Sequence, residues 1–546
     1  MKKNLTAICL SAVLLAGTAF MPANADNSVK LPGRSEETHH CYGAIMTDEQ
    51  ILIDHAYVEN DAQSEKQLLE RAAMPKSTDL STSPFFPPIG DQGHRGTCAA
   101  FATTYYQFTY EYNRLNRTPV SQSGFIASPQ WTYSHIVGDS CGSGARVNDI
   151  YDVLKYTGAN SLTDVPYDKS DKQSSWPNDF SLSAKAAEKR LKSWNTIKIQ
   201  SSESPITSPN SEALDQIKKR LINGNVLEVD SDCTFTIVSS ADYGSIITRI
   251  GRTYDKDGNH SLHAMTIVGY NDNVCFDVNG DGVISDSEKG AFKLANSWGT
   301  NWANDGYVWV LYDTVNNVSH IPGNWQSAYN NERKAAFTCG SNYAYFKFIT
   351  VTNDTPYIFG NLNITTHSMS EVGIYTTIQD KNATGSAPIK RTAFCGIGHD
   401  ASFGGTVVFP YLDIDDIGTS ITGKKWGFML KDTKDDDKVI LNRSFYLSDN
   451  LGRKISETKS FGNIINNGSY SYSTDVELIK GDVDYNSDIS GNDSLLVLQY
   501  TIGNYELSNL QKFLADVNND GVVDASDAQA ILNISTQNAQ KETVTI

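Results

Sequence analysis

Near the end of this chain a run of oxygen-bearing side chains at alternate positions occurs twice, and few patterns restrict a backbone more. The first copy holds Asp482, Asp484, Asn486, Ser490 and Asp493, and the second Asp516, Asn518, Asp520, Asp524 and Asp527. Calcium takes about six to eight hard oxygens on a tightly turning loop, supplied by loop positions 1, 3, 5, 9 and 12 and by the carbonyl of position 7. Asp488 and Val522 stand at that carbonyl position. The aliphatic runs LLVLQY and AQAIL that follow have the length of short helices. Like charges packed this closely repel until an ion neutralises them, so the expectation is a small helical unit that folds around two Ca2+ ions.

Both loops close on Asp where a full EF-hand has Glu, and no helical pattern leads into the first. With these features residues 478–546 resemble a dockerin, the module that attaches enzymes to cellulosome-type scaffolds. Ser487 departs from the pattern, because the tight turn usually takes Gly there. The resemblance implies a cohesin module of a scaffold protein as partner.

The other end of the chain bears on location. Lys2 and Lys3 precede an apolar run from Leu5 to Phe20, and Ala23-Asn24-Ala25 offers small residues for cleavage, so residues 1–25 read as a signal peptide. No later segment approaches the ~20 apolar residues of a membrane-spanning helix, and the protein is expected to be secreted and extracellular. A hydrophobic content of 39% supports packed cores, and a formal net charge of −18 argues against nucleic acid as a partner. Eight cysteines are present, and loss of Cys9 with the signal peptide leaves seven, so at least one thiol is free.

The thiol with chemistry around it is Cys98, where a Gly-containing loop, DQGHRGT, runs into a segment with helical spacing at Phe101, Tyr105, Phe108 and Tyr112. A helix N-terminus and an imidazolium both favour the thiolate, which is the nucleophilic form. Such a nucleophile needs a base, and the base an orienter. His263 opens the strand-like run AMTIVGY, and Asn296 ends another in FKLANSWGTNWANDGYVWV.

Taken together, Gln92, Cys98, His263 and Asn296 in this order, with NSWG and the DGY finish, resemble the papain family of cysteine proteases over roughly residues 75–335. The resemblance implies that Cys98 attacks the scissile carbonyl of a protein or peptide substrate. His263 would pair with the thiolate and protonate the leaving amine, Asn296 would fix the imidazole, and Gln92 would donate to the oxyanion. Trp298 would shield the His–Asn bond from water, and Gly144, in CGSGAR, would pair with substrate backbone. Arg95 stands where the family has a cysteine bridged to the position of Cys141, so that disulfide cannot form, and Ala99 replaces an aromatic residue. An inactive relative that grips peptides or inhibitors without cutting them is the alternative, and acyl transfer to amines would use the same residues.

Between His263 and Asn296 lies DVNGDGVISDSE, with Asp277, Asn279, Asp281, Ser285 and Glu288 as side-chain donors, Val283 at the carbonyl position and Gly282 at the turn. It predicts a third Ca2+ site capping a hairpin whose arms carry His263 and Asn296. Residues 340–475 alternate apolar and polar in AYFKFITV, PYIFGNLNI, GTVVFPYLDI, KWGFMLKDT and KVILNRSFYLSD, the pattern of an all-β sandwich. Residues 26–74 read as a candidate propeptide, with His39, His40 and Cys41 as ordinary surface residues. The expected architecture is an α+β papain-like domain at 75–335, with a helical half and a β-barrel-like half, then the sandwich and the small α-helical dockerin.

Overall fold

In the computed structural model the described residues are 44, 45, 55, 74–122, 124–137, 144–169, 179–200, 212–232, 234–251, 262–316, 343–382, 388–395, 402–412, 421, 423–434 and 438–544. The signal-peptide segment, most of residues 26–74 and Cys141 lie outside them.

The larger sheet is built from β1 (Ala44–Ile45), β2 (Ser77–Asp79), β3 (Ala145–Arg146), β4 (Arg190–Gln200), β5 (Leu227–Asp232), β6 (Thr234–Ser240), β7 (Gly244–Gly251), β8 (Leu262–Cys275), β9 (Lys289–Ala295), β10 (Tyr307–Leu311) and β11 (Tyr343–Thr352). Its main order is β4-β11-β5-β8-β9-β10-β7-β6. β8 lies at its centre, and its first nine residues are buried, which explains the unbroken apolar run after His263. β8 and β9 form the expected antiparallel hairpin, with Cys275 paired to Lys289 across the acidic loop.

Against this sheet packs the helix that starts at Cys98. It begins as an α-turn (Cys98–Ala100), winds as a π-helix over Phe101–Phe108 and returns to α over Thr109–Asn116. The spacing predicted an ordinary helix. Every residue of the π stretch is buried, however, so contacts on all sides decide its winding rather than one amphipathic stripe. Within it, Gln107 Nε2 donates to the carbonyl oxygens of Val226 (3.2 Å) and Lys347 (2.9 Å), stitching the helix to the sheet.

One boundary differs from expectation. AYFKFITV, read as the first strand of the sandwich, is β11, which pairs antiparallel with both β4 and β5 inside the larger sheet. The alternation of this strand was legible, but its partners were not. What draws it there is partly ionic: Lys347 Nζ reaches Glu228 at 2.8 Å and Asp230 at 2.7 Å, all three buried. Burial, and then the neighbouring Asp230, raise the Glu228 carboxyl above its ordinary range, and a pair of acids left there without Lys347 would be expensive.

The sandwich proper starts after it. It comprises β12 (Phe359–Thr366), β13 (Val372–Asp380), β14 (Ile389–Cys395), β15 (Phe403–Pro410), β16 (Lys424–Asp432), β17 (Val439–Ser448), β18 (Ile464–Ile465) and β19 (Ser469–Asp475). These form two sheets, ordered β15-β12-β17-β18 and β14-β13-β16-β19. Their inner faces bury Leu362, Ile374, Trp426, Phe428 and Phe445. The same core takes in Leu510 and Leu514 from the helix Asn509–Ala515, so the C-terminal unit is packed onto the sandwich. Polar contacts line the seam: Tyr485 Oη donates to Asp449 Oδ2 (3.1 Å), and Asn509 N donates to Asn450 Oδ1 (2.8 Å).

Candidate active site

His263, the second residue of β8, is fully buried. Its Nε2 lies 2.7 Å from Asn296 Oδ1, just beyond the end of β9. The backbone N–H of Ser297 points at the same oxygen at 2.7 Å. A backbone N–H can only donate, so this atom of the Asn296 amide is the oxygen, and His263 must carry its proton on Nε2. That leaves Nδ1 as the nitrogen for exchange with a thiol. The peptide beside this pair is itself anchored, since Tyr106 Oη donates to Asn296 O (2.7 Å). Trp298 lies over the imidazole with ring centroids 4.7 Å apart, and Trp302 stands edge-on to Trp298 at 5.2 Å.

Cys98 is fully buried and unbridged, and it shares a hydrophobic cluster with Ala264, the residue after His263. Thr266 Oγ1 donates to Ala102 O at 2.9 Å, tying the first turns of the helix to β8. Gln92 comes in from the other side. Its N–H donates to Ser297 O (2.8 Å), its Oε1 accepts from Ser297 Oγ (2.6 Å), and its Nε2 donates to Arg95 O (2.8 Å). The segments bearing Gln92, His263, Asn296 and Trp298 therefore meet directly, and the start of the Cys98 helix packs against β8. Gly144 immediately precedes β3. β3 pairs in parallel with β1, whose Ala44 also pairs with Leu262 next to His263.

Several of these contributors were missed from sequence. Ser297 was quoted only as part of NSWG, although it holds Gln92 by both backbone and side chain. Arg95 was noted only as an absent cysteine. In fact its guanidinium is buried, donates to Gln130 Oε1 and to Asp168 O (2.9 Å), and sits 5.0 Å from the Tyr133 ring and 5.4 Å from the Tyr167 ring. No local pattern announces these partners.

The three acidic loops share one hydrogen-bond register. At position 1, Asp277, Asp482 and Asp516 each accept N–H groups from positions 5 and 6. At position 12, Glu288, Asp493 and Asp527 each accept from positions 2, 3 and 9. At position 6 the chain is left-handed in all three, with φ of 81° at Gly282, 71° at Ser487 and 84° at Gly521. Ser487 therefore takes the conformation that glycine tolerates best. Carboxylate oxygens of Asp482, Asp484 and Asp493 lie within 4.8 Å of one another. Burial first, and then the charge of Asp493, push the Asp482 carboxyl up to about 6. A cation between these oxygens would remove that repulsion, so the donor set fits calcium.

A buried thiol at the start of a helix packed against the strand that carries an amide-oriented imidazole is an arrangement suited to acyl transfer through sulfur. The family profile described as papain family cysteine protease matches residues 74–327, and that of the dockerin type I domain matches residues 480–534. The chain thus joins a papain-like cysteine-protease domain to a C-terminal type I dockerin. Among solved structures it is similar to xylellain, a cysteine protease from Xylella fastidiosa, at 20% identity and a TM-score of 0.36, over 57% of this chain and 96% of that one. A digestive procathepsin L2 proteinase from Tenebrio molitor larval midgut aligns at 18% identity and TM-score 0.35, over 57% of this chain and 78% of that one. The proCathepsin B S9 from Trypanosoma congolense aligns at 15% and 0.33, over 55% and 86%. No curated protein matches.

Proposed function

We propose that this protein is a secreted cysteine endopeptidase that hydrolyses peptide bonds while docked to a cohesin-bearing extracellular scaffold. The observation that carries the catalytic reading is the 2.7 Å contact of His263 Nε2 with Asn296 Oδ1, in a strand packed against the start of the Cys98 helix. With its proton held on Nε2, the imidazole takes the thiol proton on Nδ1 and later returns one to the leaving amine. Cys98 Sγ attacks the carbonyl carbon, Gln92 Nε2 and the Cys98 N–H stabilise the oxyanion, and water releases the acyl group. Trp298 keeps water from the His–Asn contact. Substrate backbone runs along Gly144, where the residue after it, Ala145, already pairs with Ala44.

That pairing supports reading residues 26–74 as a propeptide, since β1, which lies in that segment, bridges β3 and the start of β8 beside His263. The C-terminal loops would hold two calcium ions through the donors named above and let the dockerin present its helices to a cohesin. The loop Asp277–Glu288 would hold a third, fixing the hairpin between His263 and Asn296.

Cys98→Ala should abolish hydrolysis of a peptide library and labelling by a thiol-directed epoxide. Undiminished hydrolysis by that variant would sink the reading. Labelling of the unaltered protein without any cleavage would favour the peptide-gripping alternative.

A further inference from the structure

We infer that Arg95 and Tyr167 are positioning residues that aim the Gln92 amide, taking the place of a disulfide at the nucleophile loop. The inference rests on the reading of Cys98 and Gln92 given above. Between these two residues the chain has no secondary-structure ladder to hold it. Besides the Ser297 contacts of Gln92, two side chains hold it. Tyr167 Oη donates to Gln92 O at 2.8 Å, and Thr97 Oγ1 lies 2.7 Å from Tyr167 Oη; with the phenol hydrogen committed to Gln92 O, Thr97 is the donor to the phenol oxygen. Burial pushes the Tyr167 phenol up to about 12, so it stays a donor at any ordinary pH. Tyr167 thereby ties residue 92 to residue 97, next to the nucleophile.

Arg95 holds the middle of the loop. Its carbonyl accepts the Gln92 Nε2 hydrogen bond at 2.8 Å, so this oxygen, together with the Ser297 hydroxyl that donates to Oε1, sets the tilt of the amide. The side chain of the same residue anchors this stretch, its guanidinium lying near the Tyr133 and Tyr167 rings and donating to Gln130 Oε1 and Asp168 O. Gln130 is itself tethered, its Nε2 donating to Ser134 Oγ at 2.9 Å on the helix Pro129–Ser134. A buried cation is tolerated only where such partners converge, and a fork with two planar faces fits this pocket in a way an ammonium does not. Unlike a disulfide, the clamp is indifferent to reductant.

The test uses the full chain in calcium with a fluorogenic peptide amide, comparing Tyr167→Phe, Arg95→Lys, Gln92→Ala and the two doubles that combine each clamp variant with Gln92→Ala. Both clamp variants should lower kcat about tenfold with KM changed by less than about twofold, as expected for a misaimed oxyanion donor. Affinity for a peptide aldehyde, whose thiol adduct carries an oxyanion, should fall by the same factor. Alkylation of Cys98 by iodoacetamide, which forms no oxyanion, should keep its rate and so exclude general damage to the fold. In the Gln92→Ala background neither change should cost anything further. An unchanged kcat, a loss that tracks alkylation, or losses that multiply with Gln92→Ala would each overturn the proposal. If Gln92→Ala alone leaves kcat intact, the oxyanion reading is what fails, and the clamp falls with it.

Discussion

Around His263 the polar groups are held by neutral donors and acceptors: an amide oxygen takes both an imidazole and a backbone N–H, and a hydroxyl takes the neighbouring glutamine. Around Asp482 they are like-charged carboxylates drawn together by backbone N–H groups, with one acid raised by burial and its neighbours. The first arrangement is built from protein groups alone. The second brings like charges together, a repulsion that a bound cation would relieve. The loop Asp277–Glu288 repeats the hydrogen-bond register of the second within the hairpin that joins β8 to β9.

The largest effect that would break this contrast comes from chain length. A chain ending at residue 335 lacks β11 and leaves Glu228 and Asp230 buried without Lys347, a loss of about 3–5 kcal/mol from the ion pairs alone. Set beside the ordinary stability of a domain, of order 10 kcal/mol, this loss together with that of Phe346 and Phe348 should give an aggregating product, whereas a chain ending after Thr352 should melt cooperatively. Cooperative melting of the shorter chain would show that β11 is dispensable.

Next in size is the separation of the two sites. Changing Asp482, Asp484, Asp516 and Asp520 together to Ala should abolish calcium-dependent capture of a cohesin in a pull-down while leaving peptide hydrolysis close to that of the parent. Capture that survives the fourfold change would mean the loops are not the docking element, and a parallel loss of hydrolysis would mean the two regions are not independent.

The inner loop sharpens the comparison further. Calcium bound only to the folded state stabilises by about 2.7 kcal/mol at a hundredfold excess over Kd, so chelation should lower the melting temperature of the chain ending after Thr352 by several degrees. Asp277→Ala with Glu288→Ala should lower the starting stability and remove the response to chelator. An unaltered melting curve on chelation would make this loop an ordinary turn.

The smallest effect separates the two C-terminal loops. Ser487 sits at φ 71° where Gly521 sits at 84°, and relief of a left-handed non-glycine residue contributes about 1 kcal/mol. Ser487→Gly should therefore raise the calcium-loaded melting temperature of the C-terminal unit, and Gly521→Ser should lower it. Equal melting temperatures in all three proteins would show that neither turn is strained.

What could be read from the chain alone was local. The three loops were legible because their hydrogen bonds run between residues a few positions apart, and spacing encodes such contacts directly. His263 and Asn296 were legible as strand-borne partners because alternation and a specific motif flank both. The π winding at Phe101–Phe108 was not, because a helical period does not say that every face will be covered.

By itself the sequence determined the hydrogen-bond register of the three loops, the alternation of the strands and the pairing of His263 with Asn296. Tertiary structure decided which strand joins which sheet, which partners the Arg95 guanidinium meets and where the C-terminal unit rests. Lys347 finds Glu228 and its carbonyl finds Gln107, 240 positions away, while Leu510 and Leu514 enter the core of the sandwich. Such contacts depend on how separate segments bury charge and apolar surface against each other, and no window of neighbouring residues contains both partners.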